Sequence, residues 1–175
     1  LTAELSVSTR YLVYLPQSEH VGVSQRIEDS AERARLQQLL ATAVDVESMS
    51  AEGGFILRTA AEGAGEAEIG ADLRFLKRLW AVVARRAELA DSPSLLYEDL
   101  PLQLRTVRDL ARPGIGRILI DSQESFRELQ EFCLKYMPEV AGLVEHYDGE
   151  RPIFDLHGIE DDVQRALARV VPLKS

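Results

Sequence analysis

From Glu66 to Leu89 the chain carries an amphipathic helical pattern that dictates much of what can surround it. Ile69, Leu73, Leu76, Trp80, Val83 and Ala87 fall on one face, and Arg74, Lys77, Arg78 and Arg85 gather on the opposite one. The apolar face requires a layer to cover it. The segment just before the helix is suited to that layer: Phe55-Ile56-Leu57 is a short apolar strand, preceded by Gly53-Gly54 and followed by Arg58-Thr59 and a glycine-bearing loop through Gly63 and Gly65.

The rest of the chain divides into short strands and helices. Leu1 to Pro16 reads as one or two strands, and Gln17 to Val23 as a loop with His20 in solvent. Asp29-Ser30-Ala31-Glu32 has the spacing of a capping box and predicts a helix from about Ala31 to Val44, with Leu36, Leu39, Leu40 and Ala43 on its apolar side. Val44 to Gly53 is polar and irregular. Ala90-Asp91-Ser92-Pro93-Ser94 breaks the long helix. Pro101 suits the first turn of a helix through Leu104, Val107 and Leu110, ended by Pro113-Gly114. Ile118-Leu119-Ile120 is a buried-type strand, Asp121 stands as an N-cap, and a helix continues from Phe126 to Met137, ahead of Pro138. Gly142 to Tyr147 predicts a strand with an Asp148-Gly149 turn, then a short extended piece and a last helix carrying Val163, Leu167 and Val170. The expected class is α/β, with α+β character in the N-terminal half and small mixed sheets against packed helices.

Several functions are disfavoured on composition and motif. The chain of 175 residues has a net charge of −9, which argues against a broad grip on nucleic acid, since Lys and Arg supply most non-specific affinity for phosphates. A pocket reading one terminal phosphate needs only a few donors and escapes that objection. No run of about 18 apolar residues occurs, so no membrane segment is expected, and no basic and apolar leader is present. The chain begins at Leu1 and reads as a stretch of a longer protein. Its single cysteine, Cys133, lies at helical spacing with Phe126, Leu129 and Met137 and reads as a buried core thiol. There is no Gly-Lys-Ser/Thr phosphate loop and no Gly-x-Gly-x-x-Gly, and His146 and His157 lack a nearby nucleophile.

Two sets of residues remain open to chemistry. Asp121, Glu145, Asp148 and Asp155 are the carboxylates from which a Mg²⁺ site would have to be built, and each also has a structural reading as cap, exposed strand residue, turn or bend. Arg58 and Thr59 combine a planar fork of donors with a hydroxyl at the mouth of a small-residue loop, the chemistry of a phosphate site; the alternative is a strand end with a solvated arginine. The basic face carrying Arg74 and Arg78 is either a solvated or docking surface or a track for RNA, to which Arg26 would add.

Four ordered blocks bear on these alternatives: Arg10-Tyr11-Leu12-Val13-Tyr14-Leu15-Pro16; Gly22-Val23-Ser24-Gln25-Arg26-Ile27-Glu28; Phe55-Ile56-Leu57-Arg58-Thr59-Ala60-Ala61-Glu62-Gly63; and Ile118-Leu119-Ile120-Asp121, with Glu145-His146-Tyr147 and Pro152-Ile153-Phe154-Asp155-Leu156 beyond it. Together they resemble the ribonuclease E/G family over nearly the whole chain, and their wording is more similar to its ribonuclease G branch, as is Gln25, where the E branch has arginine. The resemblance implies that residues 1–16 close an OB-fold RNA-binding domain, 17–103 form a 5′-end sensor, and 104–175 form part of a ribonuclease H-like subdomain that does not cut RNA. It implies a parent endoribonuclease of RNA processing and decay, cytoplasmic and homo-oligomeric, that cuts single-stranded RNA using Mg²⁺ held by aspartates beyond residue 175. No catalytic residue and no metal ligand is then expected in this stretch. Arg58, Thr59 and Val13 match the family's contacts to an RNA 5′-monophosphate, and a further arginine of that pocket would lie beyond residue 175. Thr9 departs from the pattern, which has glycine there. Two other readings stay open, a non-catalytic module that binds RNA ends and a structural scaffold.

Overall fold

A computed structural model describes residues 5–49, 53–91, 93–111 and 114–170. Two short strands, β1 (Val7–Ser8) and β2 (Leu12–Leu15), pair antiparallel with Val7 opposite Tyr14. The turn between them is tight, with the Thr9 amide donating to the Leu12 carbonyl at 2.8 Å. The chain then forms β3 (Val21–Val23), the helix α1 (Ser30–Val46) and β4 (Gly54–Leu57). Strand β4 inserts between β2 and β3, giving the order β1-β2-β4-β3, antiparallel to β2 and parallel to β3. The parallel pair is possible because α1 carries the chain back across the sheet. Gly54 is required at the start of β4: a Cβ there would stand 2.5 Å from the His20 carbonyl oxygen.

After β4, a 3₁₀ turn over Thr59–Ala61 leads into α2 (Glu66–Leu89), the bounds that the sequence pattern predicts. Ile69, Leu73, Leu76 and Val83 are buried as expected. Ala87 is exposed, since the last turns of α2 run past the layers that cover its middle. Tyr14 stacks on Phe55 with centroids 5.1 Å apart and meets the edge of Trp80 at 5.5 Å, which fastens sheet to helix.

The C-terminal part comprises α3 (Leu102–Leu110), β5 (Ile118–Ile120), α4 (Gln123–Tyr136), α5 (Pro138–Ala141), β6 (Val144–His146), α6 (Ile153–Leu156) and α7 (Ile159–Ala166). Strands β5 and β6 are parallel, and Phe75 of α2 meets Phe132 and Tyr136 of α4 at 6.0 and 5.8 Å. The α/β class with packed helices and small mixed sheets is what the chain adopts.

The structure corrects several local expectations. Ile153–Leu156 is helical, not extended: Pro152 sets the first turn, and its carbonyl accepts from the Leu156 amide at 3.0 Å. Ser122, rather than Asp121, caps α4, its hydroxyl accepting from the Ser125 amide at 3.2 Å. Pro101 precedes the first turn of α3. Strand β5 is only half-buried because its sheet has two strands. The last helix ends before Leu167 and Val170, both exposed. Ser92 and Pro113 in the predicted breaks lie outside the described residues.

Candidate phosphate site at the end of β4

The parallel strands β3 and β4 end side by side, and the Ser24 amide donates to the Leu57 carbonyl at 2.8 Å. Arg58 and Thr59 leave this end of the sheet. Both are exposed. The Arg58 amide continues the ladder to the Tyr11 carbonyl at 2.8 Å, and its guanidinium Nη1 turns back to the carbonyl oxygens of Thr9 (2.5 Å) and Arg10 (3.4 Å). No carboxylate pairs with Arg58 among the described residues. One amino group is therefore tethered to main chain while the cation faces solvent without a counter-charge of its own.

The loop that follows is clamped from α1. Asp29 caps that helix, accepting from the Ala31 and Glu32 amides at 2.8 and 3.3 Å. Glu32 does not complete a capping box. It accepts from the Gly63 amide at 2.9 Å and pairs with Arg35 at 2.6 Å, and Arg35 donates to the Ala64 carbonyl at 3.0 Å. Arg35 and the Gly63 amide hold the Glu32 carboxyl down at about 2, well below its ordinary 4.5.

The turn before β2 is held from α2. Asp72, buried in the helix face, accepts from Thr9 Oγ1 at 2.5 Å and from the Tyr11 amide at 2.9 Å with one carboxylate oxygen. Burial raises the Asp72 pKa, opposed by the Thr9 and Tyr11 hydrogen bonds and the nearby Arg108. One turn earlier, Glu68 accepts from the Tyr11 hydroxyl at 3.2 Å and from the Gly65 amide at 2.9 Å. Burial and Glu68 push the Tyr11 phenol upward. Arg108 of α3 donates to the Ser8 carbonyl at 2.9 Å and pairs with Asp109 at 2.7 Å, while Arg10 lies 5.0 Å over the Tyr11 ring and reaches the Asp109 carbonyl. A cavity of about 370 Å³ opens beside this network, lined by Arg10, Asp72, Phe75, Arg108 and Met137 among others.

The residues singled out from sequence are thus partly brought together. Arg58 and Thr59 adjoin, and Arg26, exposed just beyond β3, stands at the same end of the sheet. Val13 pairs with Ile56 on one side and Ser8 on the other, two rungs along the ladder from Arg58. Arg74 and Arg78 point elsewhere: Arg74 pairs with Glu47 at 2.9 Å, and Arg78 donates to the Tyr136 carbonyl at 2.8 Å, while Lys77 donates to the Glu47 carbonyl at 2.6 Å. That basic face docks onto its neighbours. Asp72, Glu32, Arg35 and Arg108 were missed. Asp72 had a signal, an acid at i+3 from Ile69 and i−4 from Leu76, inside the apolar face.

Other candidates stay apart. Asp121, Glu145, Asp148 and Asp155 are all exposed, and among the described residues no three His, Cys, Asp or Glu side chains converge as metal ligands. Among the described residues these four carboxylates do not converge as Mg²⁺ coordination would require. Cys133 is fully buried, and burial pushes its thiol to about 11. No helix among the described residues is long and apolar enough to cross a membrane.

The ribonuclease E/G family model matches residues 6–175. The chain belongs to the ribonuclease E/G family. It is 46% identical over 175 residues to ribonuclease G of Escherichia coli strain K12 and 44% identical over 176 residues to that of Haemophilus influenzae, covering all of this chain and 35% of each relative. Ribonuclease E of Haemophilus influenzae is 33% identical over 176 residues, which make up 18% of its length. The chain thus spans about a third of the family members named ribonuclease G.

Proposed function

We propose that this stretch reads the 5′ end of RNA for a ribonuclease E/G-type endoribonuclease, with Arg58 and Thr59 taking a terminal monophosphate. The observation that carries the reading is the state of Arg58, fixed by one amino group to the Thr9 and Arg10 carbonyls, exposed, and without a carboxylate partner among the described residues. A cation held this way offers its remaining donors to an anion at little cost in side-chain ordering. Thr59 follows it as the first residue of the 3₁₀ turn, and the loop beyond is pinned at Gly63 and Ala64 by Glu32 and Arg35. Val13 contributes from the adjoining strand, and Arg26 borders the path of the RNA. A monophosphate dianion fits one such fork, whereas a triphosphate brings extra charge and bulk.

The parent protein, in this reading, is a cytoplasmic homo-oligomer that cuts single-stranded RNA in RNA processing and decay. Its Mg²⁺ is bound by aspartates outside residues 1–175, so this stretch senses and does not cut. Residues 17–103 act as the sensor and 104–175 as part of the ribonuclease H-like support.

Fluorescence titration with two RNAs identical except for a 5′-monophosphate or a 5′-hydroxyl tests the reading. Preference for the monophosphate is expected, and Arg58→Ala removes about 1.5 to 3 kcal/mol of it, the range of hydrogen bonds to charged groups. Equal binding of both RNAs by the unaltered chain and by a family-length protein containing it would sink the assignment.

A further inference from the structure

We propose that Asp72 is a positioning residue for Arg58, acting through the turn from Thr9 to Leu12. The inference rests on the reading of Arg58 as the phosphate fork. Arg58 Nη1 is tethered to the Thr9 and Arg10 carbonyl oxygens, so the aim of the guanidinium is set by where that turn holds them. The turn is in turn held by a single carboxylate oxygen, which takes both the Thr9 hydroxyl and the Tyr11 amide. Asp72 is 7% exposed, and Thr9 is fully buried. Arg108, bonded to Ser8 just before the turn, supplies the nearby positive charge.

A buried carboxylate is a costly way to secure a two-strand turn that apolar packing could secure. What it adds is direction: hydrogen bonds fix the orientation of the peptide planes, and the Thr9–Arg10 and Arg10–Tyr11 planes carry the carbonyls that Arg58 grips. The Thr9 side chain is the joint. Its hydroxyl bonds to Asp72 and accepts from the Leu12 amide at 3.2 Å, and its own carbonyl receives Arg58. Thr9 is therefore the residue that couples a helix acid to the phosphate fork.

Thr9→Val removes the hydroxyl at nearly constant volume, Thr9→Ser keeps it, and Asp72→Asn removes the charge. Two readouts are taken on the folded variants of this chain: the Nε–H order of Arg58 by ¹⁵N relaxation without RNA, and the ratio of affinities for the 5′-monophosphate and 5′-hydroxyl RNAs. Thr9→Val and Asp72→Asn are expected to loosen Arg58 and to reduce the monophosphate preference by about tenfold, the size of one coupled interaction. Thr9→Ser restores both. In an Arg58→Ala background, Thr9→Val has no further effect on the preference. A purely structural role would lower the melting temperature and weaken both RNAs alike. Unchanged Arg58 order in folded Thr9→Val overturns the proposal, whatever the RNA data show. Loosened Arg58 without any monophosphate preference in the unaltered chain supports the positioning and rejects the phosphate reading.

Discussion

Around α2 and the four-stranded sheet, charged groups are drawn inward and given partners: Asp72 and Arg108 are buried, and Glu32 reaches a loop amide. From β5 to α7 the carboxylates Asp121, Glu145, Asp148 and Asp155 all face solvent, and neither α6 nor α7 buries a residue. The two regions use similar residue types to different ends. A carboxylate becomes informative where it is desolvated and its acceptors are filled, because only there does its loss leave a neighbour unpaired. The apolar side chains of α6 and α7 differ from those of α2 in the same way: Leu73 and Leu76 are sealed in the core, as are Leu129, Phe132 and Cys133 of α4, while Phe154, Val163 and Leu167 are exposed.

Chemical denaturation sharpens that contrast most. Leu73→Ala should cost about 2 to 5 kcal/mol, the range for emptying a packed site, and Val163→Ala should stay within about 0.5 kcal/mol. Equal losses would break the comparison. Next in size is the loss of 5′-monophosphate preference in Arg58→Ala given above. Glu32→Gln comes next, and the expected signature is faster hydrogen exchange at the Gly63 amide with little change at Asp72. The Glu32 carboxyl is held at about 2 against an ordinary 4.5, so its contribution is present above 4.5 and is lost as pH falls through about 2. A carboxyl ¹³C titration by NMR checks this, and a midpoint near 4.5 would mean the clamp on the loop does not form in solution. Smallest of all, Asp121→Asn and Asp155→Asn should change stability by no more than about 0.5 kcal/mol. A larger loss in either would show that the C-terminal acids have partners after all.

Elements that depend on local pattern were legible. The bounds of α2 follow from its apolar period, and the Asp29 cap follows from its spacing to the first turn of α1. Arg58 and Thr59 could be picked out because a donor fork and a hydroxyl at a strand end are visible in order. The helical turn at Ile153–Leu156 was not, since four residues carry too little period to separate a turn of helix from an extended piece.

The sequence by itself determined the family, the α/β class and the long helix, and it offered Arg58 and Thr59 as candidates for a phosphate. Tertiary structure alone decided which charges were free to use: it spent Arg74 on Glu47 and Arg78 on the end of α4, left Arg58 without a carboxylate partner among the described residues, and placed Asp72 under the turn that Arg58 grips. The physical reason is range. Periodicity and capping act over a few residues, whereas the Arg58–Thr9 and Asp72–Tyr11 bonds join positions 49 and 61 residues apart, which only the packing of sheet against helix brings together.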